Sequence, residues 1–249
     1  MSLNAIPNTV TMFGGLAPAD QRELDALSRR RRVTAGTMFY RPGEAMGHIY
    51  FIEAGSVKVG FLSAAGREIT VDYLGRGELF GAVGLGPDSG GQLFARAWED
   101  VVVREMSRRD YEAFILRRPP LVCEINRLLD ARLAKVQRRL QQLLFLDMRE
   151  RIVAVLADLI PGYGEPVEGG VRLRLRLTHQ DIANMIGATR EATSQVLGLL
   201  RRAGAIAFDQ KHPVLLTPGQ PAPIEADADA WRAPATVLVT TRSVESAEV

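Results

Sequence analysis

Between Val33 and Met106 the apolar residues fall in short runs, HIYFI, SVKVGFL, EITVDYL and VVVREM, separated by the Gly-bearing turns PGE, EAGS, AAGRE and GRGE. Runs rich in β-branched and aromatic residues between such turns read as strands. Many of them at near-regular spacing predict a small antiparallel roll or barrel. Ahead of them, Pro18 to Arg32 (PADQRELDALSRRRR) sets Leu24 and Leu27 at helical spacing, with acids early and arginines late, and predicts a short amphipathic helix. Helical spacing returns near Ser107, runs to Leu116, breaks at Pro119-Pro120 and resumes as a long helix from about Leu121 to Leu146. A helix over Met148 to Ile160, stopping at Pro161-Gly162, then precedes VRLRLRL, which alternates like a half-exposed strand. Two helices and a hairpin are expected after it.

The long helix carries the most regular stripe. Val122, Leu129, Val136 and Leu143 repeat every seven residues, and Asn126, Leu133 and Leu140 form a second series offset by four. These are the d and a positions of a coiled coil, with Asn126 as the polar a residue that sets register and strand number. Such a stripe either pairs two copies of the chain or packs on its own domain. The partly polar seam, flanked by Arg132, Lys135, Arg138 and Arg139, favours pairing.

From Thr178 to Gly204 the chain reads THQDIANMIGATREATSQVLGLLRRAG. Thr178 is the expected N-cap of a first helix, with Asp181 three residues on and Ile182, Ala183 and Ile186 facing inward. Gly187 supplies the left-handed residue of a tight turn. Thr189 then caps a second helix whose Val196, Leu199 and Leu200 are expected inside, leaving Arg190, Glu191, Ser194 and Gln195 outward. Those types suit base edges: Arg bridges guanine O6/N7, Glu accepts from cytosine N4 and Gln pairs with adenine. His179 and Gln180 would meet phosphate at the helix start. The following AIAFDQKHPVLLT reads as a two-stranded wing with Lys211 and His212 at its tip. The competing reading is an ordinary helical hairpin with a polar surface.

Composition narrows the classes. The 249 residues allow two compact domains. No stretch approaches the roughly 20 apolar residues of a membrane span, and the N-terminus lacks a basic start followed by an apolar run, so a cytoplasmic location is expected. Cys123 is the single cysteine, read as a small buried hydrophobe on a helix; it admits neither an intramolecular disulfide nor a four-thiolate cluster within one chain. Net charge is only +2, yet residues 171–216 carry seven basic against three acidic side chains, and the segment from 217 onward two against five. The absence of a Gly-rich phosphate loop, clustered metal ligands or a nucleophile-base pair argues against an enzyme and against a metal site. The Pro-, Ala- and acid-rich residues from about Pro218 are expected to be disordered, with ATVLVTT a short strand or partner-binding segment.

The order roll, long helix, winged motif resembles the CRP/FNR family of bacterial transcription regulators over roughly residues 15–216. RPGEAMGHIYFIEAGSVKVGFLSAAGREITVDYLGRGELFG looks like that family's cyclic-nucleotide-binding-type roll, FLDMRERI like its hinge and THQDIANMIGATREATSQVLGLLRRAGAI like its helix-turn-helix. The resemblance implies an α+β fold: an antiparallel, jelly-roll-like β-roll, a long dimerisation helix and a C-terminal winged helix-turn-helix. The expected divisions are a flexible start at 1–18, the sensor roll at 19–118, dimerisation helix and hinge at 119–147, the DNA-binding domain at 148–217 and the tail at 218–249. It implies a homodimer on double-stranded DNA, with RNA polymerase as a further partner and no membrane. Arg190 and Glu191 match the main base-reading pair, while Gln195 replaces an Arg common at the third reading position. The DNA-contacting set is therefore Thr178, His179, Gln180, Thr189, Arg190, Glu191, Ser194, Gln195 and Lys211. The family's effector pocket maps to Gly81, Ala82, Val83, Gln92, Arg132, Val136 and Gln137. The residues that hold cyclic AMP in cyclic-AMP-binding members are replaced by Ala82, by Gly91 with Gln92, and by Val136 with Gln137. A cyclic phosphate would lose charge-assisted bonds worth about 1.5 to 3 kcal/mol each, so cyclic AMP is not expected; no cofactor is expected, and the effector is left open. Arg132 matches an Arg of the 2-oxoglutarate-sensing branch, whereas Gln137 replaces its Glu. Haem or iron-sulfur sensing finds only His48 and no cysteine in the roll. The rival reading is a β-roll regulatory module acting on a protein partner.

Overall fold

The computed structural model describes residues 16–85 and 92–216. The expected strand or partner-binding segment ATVLVTT lies outside them, as do Gly91 and most of the expected flexible start. Helix α1 (Pro18–Leu27) runs directly into strand β1 (Ser28–Val33). The expected helix to Arg32 is thus cut short. Arg29 to Arg32 pair along β8 (Val101–Ser107) in antiparallel register, and Arg30 reaches Glu53 at 2.7 Å. A vacant ladder outweighed the helical preference of these arginines, since tertiary pairing routinely overrides propensity.

The roll consists of two four-stranded sheets. One has the order β1, β8, β3 (His48–Ala54), β6 (Leu79–Gly81), the other β2 (Met38–Tyr40), β7 (Leu93–Ala97), β4 (Val57–Leu62), β5 (Glu68–Leu74). Every pairing is antiparallel. Tyr50, Ile52, Val57, Phe80, Ala95 and Val103 fill the space between the sheets, with Tyr50 stacked on Phe80 at 4.8 Å between ring centroids. The outer face of the first sheet packs Ile49 and Met106 against Phe114 of α2 (Arg108–Leu116) and Leu121, Ile125 and Leu128 of α3 (Pro119–Phe145). Ser107 caps α2 by accepting from the Asp110 amide. Pro119 and Pro120 open α3 rather than break it, because the first helical positions need no N–H.

Helix α3 has two apolar faces. Leu121, Ile125 and Leu128 are buried in the chain's own core, whereas Leu133, Val136 and Leu140 are 57%, 52% and 57% exposed. Cys123 is exposed, not buried as its residue type led us to expect, because it lies on the side of α3 turned away from the roll. The flanking cations serve this chain: Lys135 pairs with Asp72 at 2.6 Å, Arg138 with Asp158 at 3.6 Å, Arg139 donates to the Met185 carbonyl and Arg132 to that of Leu79.

Helix α4 (Met148–Asp158) opens with a capping box between Asp147 and Glu150. Pro161 and Gly162, read as a stop, sit inside a one-turn helix, α5 (Ile160–Tyr163), where the proline occupies an N-terminal position. In VRLRLRL only Val171 to Leu173 belong to a ladder, as part of β10 (Gly170–Leu173) beside β9 (Gly164–Val167). Burial nevertheless alternates through Leu175 and Leu177, whose side chains enter the next core.

Candidate nucleic-acid interface

Helix α6 (His179–Ile186) begins where Thr178 accepts from the Asp181 amide at 3.2 Å while the Asp181 carboxylate accepts from the Thr178 amide at 2.9 Å. Ile182, Ala183 and Ile186 are at most 1% exposed, as their spacing requires. Gly187 ends the helix at φ +68°, left-handed backbone that a side chain would strain. Two residues later Thr189 caps α7 (Arg190–Arg202), accepting from Ala192 at 3.3 Å. The buried face of α7 is Thr193, Leu197 and Leu200; Val196 is half-buried and Leu199 is 37% exposed. Of the expected inner triad, Leu200 is buried and Val196 packs against the core, whereas Leu199 lies outside. Thr193 occupies the inner position because its hydroxyl is satisfied at 2.8 Å by the Thr189 carbonyl, which lets a polar residue face the core.

That phase leaves Arg190, Glu191 and Gln195 exposed on the first turns of α7. Ser194 is half-buried, and its hydroxyl lies 2.8 Å from Nδ1 of His179. His179 thereby links the two helices and approaches the Phe208 ring at 5.9 Å, so both residues expected to point freely at nucleic acid also have structural work. Thr178, Gln180 and Thr189 are exposed beside them. Strands β11 (Ile206–Asp209) and β12 (His212–Leu216) form the wing, joined by a turn in which Gln210 and Lys211 have φ of 46° and 74°. Lys211 is at the tip and exposed. His212, expected there too, lies within β12, its Nδ1 3.0 Å from the Leu173 carbonyl.

The motif rests on the roll. Tyr73 and Trp98 of the roll join Leu159, Tyr163 and Ile182 in one core, with Tyr73 and Trp98 edge to face at 5.1 Å. At this seam Lys58, only 2% exposed, pairs with Glu68 beside it and reaches Asp181 of α6 at 3.6 Å, its ammonium 5.4 Å from the Trp98 ring centre. The Tyr163 hydroxyl stands 3.1 Å from where a Cβ on Gly75 would lie, and burial holds the phenols of Tyr73 and Tyr163 well above their ordinary range. Sequence reasoning missed this polar seam, since Lys58 sits in an ordinary strand pattern and Asp181 looked like a helix cap only. Gln180, Asn184, Arg190 and Glu191 line a cleft of about 300 Å³ opposite Arg67 and Ile69 of the roll.

The expected effector positions are gathered less tightly. Gly81, Ala82 and Val83 follow one another at the end of β6, and the half-buried Arg132 reaches over to Leu79. Val136 and Gln137, one turn further along α3, are exposed, and so is Gln92. Glu78 lies close by, accepting from the Gly75 amide at 2.6 Å; burial, then the nearby Asp72, pushes its carboxyl up to about 6.

A double-sheeted roll bearing a long helix and a winged helix-turn-helix, with Arg and Glu exposed at the start of its second helix, defines a two-domain transcription regulator of the DNA-binding kind. A cyclic nucleotide-binding domain matches residues 30–118 and a Crp-like helix-turn-helix domain residues 150–218. The chain is 32% identical to the global nitrogen regulator of Synechocystis sp. over 177 residues, 70% of this chain and 78% of that protein. Among solved structures it is similar to the c-di-GMP-responsive global regulator CLP of Xanthomonas campestris, with 27% identity, a TM-score of 0.69 and coverage of 81% and 100% of the two chains. A CRP/FNR-family transcriptional regulator of Thermus thermophilus matches at 26% identity and a TM-score of 0.61, covering 76% and 94%. This chain belongs to the CRP/FNR family, whose members are transcription regulators and not enzymes. Among the described residues no helix is long and apolar enough to cross a membrane.

Proposed function

We propose that the protein is a homodimer that reads a palindromic DNA site with Arg190, Glu191 and Gln195 in the major groove. Thr178, His179, Gln180, Ser194, Thr189 and Lys211 position the motif on the sugar-phosphate backbone. The observation that carries this reading is the phase of α7: its core face is Thr193, Leu197 and Leu200, so the three reading side chains emerge together, on a capped helix N-terminus, beside a wing tipped by Lys211. The exposed seam of α3 supports pairing through Leu133, Val136 and Leu140. RNA polymerase is the further partner expected of such a regulator.

Cyclic AMP is not the effector on this reading. Ala82 and Gln92 offer no cation for a cyclic phosphate, although a 29% identical relative in Thermus thermophilus carries the name cyclic AMP receptor protein. A resident cofactor is not part of the proposal. Selection of the full-length dimer on randomised duplexes tests it: two half-sites about one helical turn, roughly 34 Å, apart and each containing a G·C pair are expected. Recovery of no preferred sequence, or of a single unrepeated site, would overturn it.

A further inference from the structure

Helix α1 covers the roll incompletely, with Leu24 and Leu27 packed against the core. None of its residues is fully buried, yet it lies across the outer face of the first sheet and roofs a cavity of about 250 Å³. Leu24 of the helix, Ile49, Phe51, Leu79 and Met106 of the strands and Tyr111 of α2 make its wall almost entirely apolar. The cavity opens to solvent on one side, and an apolar cavity of about 150 Å³ already accepts benzene. The two hydroxyls at the wall are occupied elsewhere: Tyr111 donates to the Val83 carbonyl at 3.1 Å and Ser28 to that of Leu24 at 2.7 Å.

The charges at the mouth answer one another. Arg104 donates to Glu53 at 2.6 Å and pairs with Asp25, and Arg30 takes the other Glu53 oxygen at 2.7 Å. A charged guest would therefore have to break an existing pair. Gln21, by contrast, also lines the cavity and its carboxamide makes no hydrogen bond to a described residue. The roof is held by Leu24 and Leu27, which pack against the core beneath it, and by Asp20 and Glu23 on Arg118 at 2.7 and 2.5 Å. The space is open to solvent beside α1, so a molecule can enter with the helix in place.

We propose that the space under α1 is a small-molecule site, separate from positions 81–83, 92, 132, 136 and 137, for a neutral single-ring aromatic compound with one hydrogen-bonding group directed at Gln21. It goes beyond the DNA-binding reading and does not depend on it. Leu79 ties the site to the long helix, since its side chain forms the wall while its carbonyl holds Arg132.

Fluorine NMR of 4-fluorophenol and fluorobenzene titrated against the full-length protein is the test. Saturable binding of both is expected. Leu24→Trp, which fills the cavity from the roof, should abolish it, and Gln21→Leu, at the cavity's rim, should weaken 4-fluorophenol about fivefold while leaving fluorobenzene unchanged. Absence of saturable binding, equal binding by a folded Leu24→Trp protein, or equal weakening of both probes by Gln21→Leu would each overturn the proposal. So would binding that appears only after residues 1–15 are removed, because the cavity would then belong to the chain's own start. If Leu24→Trp fails to fold, the Gln21→Leu comparison decides alone.

Discussion

Single residues divide into those whose chemistry points outward and those held by neighbours. Arg190 is exposed and can lie flat against a guanine edge, so Arg190→Ala should cost about 1 to 3 kcal/mol of specific binding and relax selectivity at one base pair. Lys211→Ala, at the wing tip, should weaken all duplexes alike and reduce the salt dependence. Gel shifts with specific and scrambled duplexes separate the two, and a sequence preference altered by Lys211→Ala but not by Arg190→Ala would reverse the assignment. Glu78 makes a different prediction. Its carboxyl titrates near 6 in the folded chain against an ordinary 4.5, so the folded state holds the extra proton between those values. Stability from this group is present below about pH 4.5 and lost as pH rises through 6, a difference of roughly 2 kcal/mol. Glu78→Gln should therefore raise the melting temperature at pH 7.5 more than at pH 5, and an equal shift at both would refute it.

At the scale of elements the long helix matters most. Its seam was written in the spacing of apolar residues, but a period of seven did not reveal the second stripe that meets the roll. Leu121, Ile125 and Leu128 do, which leaves Leu133, Val136 and Leu140 uncovered. Replacing Leu133 and Val136 together by Glu would set like charges across the proposed dimer seam. Sedimentation should then report monomers with the helical content retained, whereas an intact dimer would place the interface elsewhere. The fate of residues 28–32 makes the same point from the other side. The helical reading was carried there from Leu24 and Leu27, yet the unpaired edge of β8 needed a partner, and Ser28 to Val33 supplied it.

For the whole molecule, the decisive contact is the polar seam between roll and winged motif. Lys58 is buried in β4 and its acidic neighbours are Glu68 of the roll and Asp181 of α6. Removing one member of a buried ion pair strands the others, at a cost of about 3 to 5 kcal/mol. Lys58→Met should thus loosen the two halves, and scanning calorimetry should resolve two transitions, against one expected of the unaltered protein. A single transition at an unchanged temperature would mean that Lys58 does not couple them.

The sequence by itself determined what depends on neighbours a few residues away: the strand runs and their glycine turns, the caps at Thr178 and Thr189, the left-handed Gly187 and the outward Arg190 and Glu191. Caps and turns are satisfied by backbone groups within three or four positions, so residue type and spacing suffice. Tertiary structure alone decided that Cys123 faces outward, that Thr193 rather than Leu199 enters the core, that His179 holds Ser194 and that Lys58 finds Asp181 at a distance of 123 positions along the chain. Those outcomes depend on which surfaces meet after the elements form. Burial of a polar group is tolerated only where a partner arrives from a remote segment, and no local pattern encodes that arrival.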